Sequence, residues 1–253
     1  MQKRLAVVLL ASALSSPAVL ADDTNWDGFY IGVGGHSASF DLQVDPDPGV
    51  VVGIEEKFFA FTGSGSTKSG EFIIGYKHDL GLALVGLELR PTLGGGMTIA
   101  SVKQGDLIPS LPGFITIVST NSVTTKMKGS LVATVEFPMG DRLLVGGEAG
   151  FAQAKAEMFG RVDGPEDFFT GVREDWMSYN GSASKTAFIW GARASFAITD
   201  SFSLTARYSK ANFGTLSVPA KLGSDLVPEG RTLSPVEASI KSNMFSLGVT
   251  YRF

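Results

Sequence analysis

Ten charged residues fall inside runs that otherwise read as hydrophobic strands: Glu71, Lys77, Glu88, Arg90, Lys128, Glu136, Glu148, Arg193, Arg207 and Arg252. All ten occupy one parity of their runs, so an extended backbone turns them to one face. Four carboxylates and six cations confined to that face must pair, because a charge taken out of water is costly unless partnered. The first pairs to expect are Glu88, Glu136 and Glu148 against Arg90, Arg193 and Arg207. Such a set is expected to act as an electrostatic plug that supports the wall, with a narrow or gated pore as the alternative.

Other chemistry is poorly supplied. The two histidines, His36 and His78, are the only candidates for acid-base work. His36 and Ser37 are sequence neighbours in an extended segment, so they point to opposite faces and cannot form a dyad. His78 lies in a turn, while His36 is about eight residues up a strand, which separates them by roughly 20 Å at a rise of ~3.3 Å per residue. No two-histidine metal site follows, and the absence of cysteine excludes disulfides and thiolate sites. Asp163, Glu166, Asp167, Glu174 and Asp175 cluster with Phe168, Phe169, Trp176 and Tyr179. Calcium would suit those carboxylates, but their spacing matches no calcium-loop pattern, and a solvated acidic loop is the plainer reading. The sequence therefore predicts no enzyme, no cofactor and no resident metal.

The elements that would position these charges begin after an export signal. Residues 1–21 carry Lys3 and Arg4, an apolar run from Leu5 to Leu14, and a small-residue site ending Val19-Leu20-Ala21. Cleavage before Asp22 would leave a 22–253 barrel domain of 232 residues (253 minus 21), with 19 basic and 25 acidic residues and a net charge of −6. That balance gives no reason to expect nucleic acid as a partner. No run of 18 apolar residues follows the signal, although mean hydropathy is +0.18. Apolar residues spent in alternation rather than in runs are the signature of a membrane barrel.

Eight such alternations can be placed. The first runs from about Gly28 to Phe40, with Phe29, Ile31 and Val33 against Tyr30, Gly32, Gly34 and His36. The second covers Gly70–Lys77 and the third Leu82–Gly94, where Pro91 on the apolar side suggests a bulge, since proline cannot donate to a ladder. The fourth, Lys126–Phe137, sets Met127, Leu131, Ala133, Val135 and Phe137 against Lys128, Ser130, Thr134 and Glu136. Arg142–Ala154, Lys185–Ile198 and Phe202–Lys210 follow, and Asn243–Phe253 closes the set. Odd connections, about 41–69, 97–123, 156–183 and 211–237, are long, whereas even ones are turns of about three to five residues. A soluble sandwich, the competing fold, gives no reason for that segregation; an outer-membrane barrel has turns in the periplasm and loops outside.

The last strand places Phe245, Leu247, Val249, Tyr251 and Phe253 on one face and ends on the aromatic. It resembles the assembly signal of bacterial outer-membrane β-barrels, which implies the barrel-assembly machinery as a partner. Together with the opening Trp26-Asp27-Gly28-Phe29-Tyr30-Ile31-Gly32, it resembles the small outer-membrane surface-antigen family of opacity-protein-like porins, similar in layout to the membrane domain of outer membrane protein A. The expected fold is all-β, an eight-stranded antiparallel up-and-down transmembrane barrel with polar lumen and lipid-facing apolar wall. A Lys or Arg facing lipid at mid-depth costs about 2–4 kcal/mol, which explains the single parity of the charges. Outer-membrane lipid and lipopolysaccharide are the implied surroundings.

The expected role is structural and surface-exposed: envelope integrity, with surface-antigen or adhesion functions carried by the loops. A small-solute porin is the alternative, and a loop-borne haem or host-ligand receptor the third. Loop segments Val50–Ile54, Phe58–Phe61 and Phe114–Val118 are apolar and are expected to continue the hairpins above the bilayer, or to form a patch for an extracellular ligand.

Overall fold

The computed structural model describes residues 26–46, 61–106, 116–166, 173–218, 220–222 and 236–253. The export signal, Val50–Ile54, Phe58–Ala60, Phe114, Ile115, Asp167, Phe168 and Phe169 lie outside the described residues. Among the described residues ten strand segments follow one another: β1 Gly28–Pro46, β2 Phe61–Asp79, β3 Leu84–Leu93, β4 Met97–Asp106, β5 Thr116–Pro138, β6 Leu143–Glu166, β7 Arg173–Ala197, β8 Phe202–Val218, β9 Ala220–Leu222 and β10 Val236–Arg252. All pairings are antiparallel, and they run β1–β2–β3–β5–β6–β7–β8–β10 and back to β1. That is a closed ring of eight staves. β4 continues β3 beside β5, after a break at Gly94–Gly96, and β9 continues β8 beside β7. Closure removes the free edges that would otherwise pair with other chains.

Three short turns join strands at one end. Asp79 Oδ1 accepts a bond from Gly81 N at 2.6 Å, and Gly81 adopts φ +87°, a conformation open to glycine without strain. The other two turns are held by Met139 N to Leu143 O at 2.7 Å and Ile198 N to Phe202 O at 2.8 Å. Phe253 N donates to Phe29 O at 3.2 Å, so chain start and chain end meet on this same rim.

The opposite ends of the strands reach further than the alternation alone indicated. Much of the four expected loops is strand: β1 extends to Pro46, β5 begins at Thr116, and β6 and β7 are 24 and 25 residues long. A tilted membrane strand needs about 9–11 residues, so these hairpins rise well above the bilayer. One seam is left there. Above Gly70 and Leu93, no backbone pairing joins β2 to β4 among the described residues. Met97 and Ile99 fill it by packing over Gly63 and Gly65, where a Cβ would collide with their side chains.

Two details correct the strand reading. Pro91 makes no bulge; the β2–β3 register is the same on both sides of it, although the pairs at Phe72 and Ile73 are skipped. The bulge sits one stave over, at Lys128 on β5, where Met127 pairs with Ala154 but Gly129 pairs with Gln153. Pro91 is the cross-strand partner of Gly129, and a Cβ on Gly129 would lie 2.7 Å from Arg90 O. The extra residue reverses parity, so Met127 turns into the barrel and Lys128 turns out.

Candidate functional site

Along the lower barrel, outward positions carry Phe29, Ile31, Val33, Phe72, Ile74, Leu87, Leu89, Leu131, Val135, Phe151, Phe188, Trp190 and Phe245, all exposed. In water this would be untenable; in a bilayer it is the lipid-facing band. Aromatic rings cluster near the rim of short turns, with Phe29–Tyr76 at 4.8 Å, Phe202–Tyr251 at 5.1 Å and Tyr251–Phe253 at 5.2 Å between centroids. Phe245, Leu247, Val249, Tyr251 and Phe253, the residues of the closing motif, all lie on this outer face.

The lumen is layered. At the rim of short turns, Trp26, Leu84, Leu144 and Ala197 form an apolar cap. Lys77 Nζ stands 5.3 Å from the Trp26 ring centroid, and Arg252 Cζ stands 5.0 Å from it. Arg252 belongs to this mouth, where its Nη2 donates to Asp200 O at 2.6 Å.

Above the cap lies the charged layer. Arg90 donates to both oxygens of Glu148, at 3.0 and 2.6 Å, and its Nε reaches Glu88 Oε2 at 2.6 Å. Arg193 lies between three carboxylates, 2.7 Å from Glu88, 3.2 Å from Glu136 and 3.9 Å from Glu148. Arg207 pairs with Glu71 and comes within 3.6 Å of Glu88. Lys77 Nζ meets Glu136 Oε2 at 2.6 Å. The set is four acids, Glu71, Glu88, Glu136 and Glu148, against four cations, Lys77, Arg90, Arg193 and Arg207, all buried. Formal charge cancels within it. Its residues come from β2, β3, β5, β6, β7 and β8, so the pairs brace the wall across the lumen as well as along it.

Lys128, counted among these cations on parity, is not there. The bulge sends it to the outer surface, where its Nζ donates to Ser184 Oγ at 3.2 Å. Conversely, several partners were not singled out from sequence. Tyr30 Oη donates to Glu88 at 2.5 Å, Ser209 Oγ to Glu148 at 2.7 Å and Ser195 Oγ to Glu136 at 2.9 Å. Their inward parity was the available signal. These hydroxyls occupy carboxylate lone pairs that would otherwise be left without hydrogen, the condition on which a buried charge cluster is tolerated.

His36 marks the upper edge of the charged layer, with Nδ1 3.8 Å from Glu71 Oε2. A cavity of about 20 Å³ lies there between His36, Glu71, Arg90, Met127, Ile189 and Met244. It has room for about one water. His78 sits on the lower rim instead, 3.4 Å from Asp27.

Above His36 the interior changes character. Ala38, Phe40, Leu42 and Val44 of β1 point inward and pack with Met97, Val123, Met127, Met158, Ile189, Phe213, Leu216, Val218, Val236 and Ile240 in one apolar core. Outward positions at this level are mostly polar: Ser39, Asp41, Gln43, Ser64, Lys68, Lys126, Glu157, Asn212, Glu237 and Lys241 are exposed, with Val102 and Phe159 as apolar exceptions. The polarity of wall and lumen therefore inverts along the barrel axis. The lower part is built for lipid outside, the upper for water outside.

The family model for the outer membrane protein beta-barrel domain matches residues 6–253. A comparison with curated proteins finds no match. Among solved structures, Ail, the attachment invasion locus protein of Yersinia pestis, is 16% identical, with 90% of this chain and 100% of that chain covered and a TM-score of 0.39. OprG from Pseudomonas aeruginosa is 9% identical, covering 90% and 96% of the two chains at a TM-score of 0.45. Neisserial surface protein A is 12% identical, covering 89% and 97% at 0.35. With a family model spanning nearly every residue and a closed antiparallel ring beneath it, the chain belongs to the outer membrane protein beta-barrel domain family.

Proposed function

We propose that the protein is a closed, non-conducting barrel that anchors a tall, polar-walled extension on the cell surface, serving envelope integrity and surface contact in the manner of an antigen or adhesin. The observation that carries this is the neutral cluster of four carboxylates and four cations, sealed below by Trp26 and its neighbours and above by the apolar core. A permeating solute would have to break several ion pairs and then cross a packed hydrophobic layer. Planar-bilayer recordings of the purified protein test this: silence supports the closed barrel, and steady channels passing small solutes overturn it in favour of the porin reading.

A receptor role has one feature in its favour. A groove of about 470 Å³ on the upper barrel is lined by Asp41, Leu42, Gln43, Thr62, Gly63, Ser64, Ser239 and Lys241. Its volume suits a small ligand. Most lining side chains are polar and none is an axial haem ligand, so a hydrophilic extracellular ligand fits it better than haem. Enzymatic action is not part of this proposal: His36 is enclosed in the lumen, and unchanged lipid A mass spectra on overexpression would agree with that.

A further inference from the structure

On β5–β6–β7, just above the lipid-facing band, three lysines converge on the outside of the wall. Lys126 and Lys155 are direct cross-strand partners, and the next partner of Lys155 is Ser184. Lys128 reaches across β6 to that same Ser184, at 3.2 Å. Like charges placed directly opposite on a sheet destabilise it. The bulge adds to the crowding, since unbroken alternation would have taken Lys128 into the lumen. Local compensation is partial. Glu157 Oε1 accepts from Lys155 Nζ at 2.6 Å, which leaves a net excess of two positive charges in the group. The Lys155 hydrogen bond, then its charge and that of Lys126, hold the Glu157 carboxyl below its ordinary range, as a positive local potential requires.

The height of this group identifies what meets it. From Val145 to Lys155 along β6, a rise of ~3.3 Å per residue and a tilt of about 40° give an axial distance of about 25 Å, the height of the apolar band in such barrels. Below the lysines on the same staves lie exposed Leu131, Phe151, Phe188 and Trp190, with the Phe151 and Phe188 rings 6.1 Å apart edge to face. Above them the wall turns mostly polar, with Ser182 and Asn180 exposed and Phe159 the exposed apolar residue beside Asn180. An apolar, aromatic slope capped by three ammonium groups and a serine hydroxyl has the shape of one ligand class: a phosphate-bearing lipid, chains down and headgroup up.

We propose that Lys126, Lys128 and Lys155, with Ser184, form a binding site for the phosphate headgroup of an outer-leaflet lipid whose acyl chains lie on Phe151 and Phe188. The site rests on the membrane placement of the barrel and is independent of whether the lumen conducts. The phosphate resolves the repulsion between the paired lysines, and the Lys128 bulge serves to deliver the third ammonium.

The test is equilibrium binding of bisphosphorylated lipid A to the detergent-solubilised full-length barrel, with the same lipid after dephosphorylation and inorganic phosphate as separate arms. The triple variant K126Q/K128Q/K155Q keeps the side-chain stems, and its heat-modifiable gel shift reports that it folds. The expected result is about a tenfold loss of lipid A affinity in that variant. The control K68Q/K210Q/K241Q, with the same charge change on other staves, should lose less than about twofold, and a triple arginine variant should bind as wild type. Equal losses in the two glutamine variants would mean general surface charge and overturn the site. Undiminished binding of dephosphorylated lipid would do so too, as would displacement by about 10 mM inorganic phosphate, since a free anion would then suffice.

Discussion

Arg90 holds Glu148 across the lumen by two parallel hydrogen bonds of 3.0 and 2.6 Å, while its Nε stays on Glu88 of its own strand. This fork ties β3 to β6, which are not paired with each other in the ring. Removing one member leaves a buried charge without its counter-charge, a loss of about 3–5 kcal/mol. Glu148→Ala should therefore lower the urea midpoint in detergent strongly, and the double variant R90M/E148L should recover a large part of it. If the double variant is no better than the single, the fork is not an isolated strut and the whole cluster titrates stability together.

The apolar upper core predicts that the extension has its own stability. Phe40 is fully buried there, on the strand whose lower half faces lipid. Phe40→Ala should cost about 3–5 kcal/mol in packing and cavity terms. Because the loss falls above the charged layer, limited proteolysis of the variant in liposomes should trim the extension while leaving a membrane-protected core. Uniform degradation, or none, would show that the two levels do not unfold separately.

Most of the lower barrel was legible in the sequence because lipid and lumen impose opposite polarity on successive residues, and turns are too short to blur the register. The ring, the lipid-facing aromatics and the nine charges that lie in the layer or its mouth, the eight of the cluster and Arg252, needed only parity; Lys77, Glu88 and Arg193 are examples. Lys128 was misplaced because a bulge leaves no mark in composition: Lys-Gly-Ser reads as ordinary alternation until Gly129 is seen against Arg90 O. The upper core was missed for a different reason. Ala38, Phe40, Leu42 and Val44 continue the inward parity of Tyr30 and His36, but the polarity of that parity reverses above the bilayer. A pattern that inverts reads as a strand that ends. Testing parity separately from polarity would have found it.

The closing aromatic gives a prediction about biogenesis. Phe253 is 76% exposed, packs edge to face on Tyr251 and donates its backbone N–H to Phe29 O at 3.2 Å. Its deletion removes little buried area, so the folded barrel should lose little stability. Assembly should fall sharply all the same, because the exposed residues Phe245, Leu247, Val249, Tyr251 and Phe253 resemble the motif that the assembly machinery reads. Fractionation would then show exported protein in the periplasm with poor outer-membrane yield. Normal yield would assign those residues to lipid contact alone.

The inversion of polarity fixes where lipid ends, and two substitutions of equal chemistry locate that boundary. Leu89 lies on the outer face of β3 at mid-band, 49% exposed; Val102 lies on β4 beyond the Gly94–Gly96 break and is 68% exposed. By accessibility alone, Val102 is the more conspicuous apolar residue and either one should accept a charge. The lipid argument separates them. Leu89→Arg places a guanidinium in hydrocarbon, at about 2–4 kcal/mol, whereas Val102→Arg places one in water at about 0–1 kcal/mol. Reversible unfolding in phospholipid vesicles should show the difference. Detergent micelles, which deform around a charge, should shrink it. Equal costs at the two positions would put β4 inside the bilayer, and the apolar core enclosed by the upper strands would then need another explanation than water outside it.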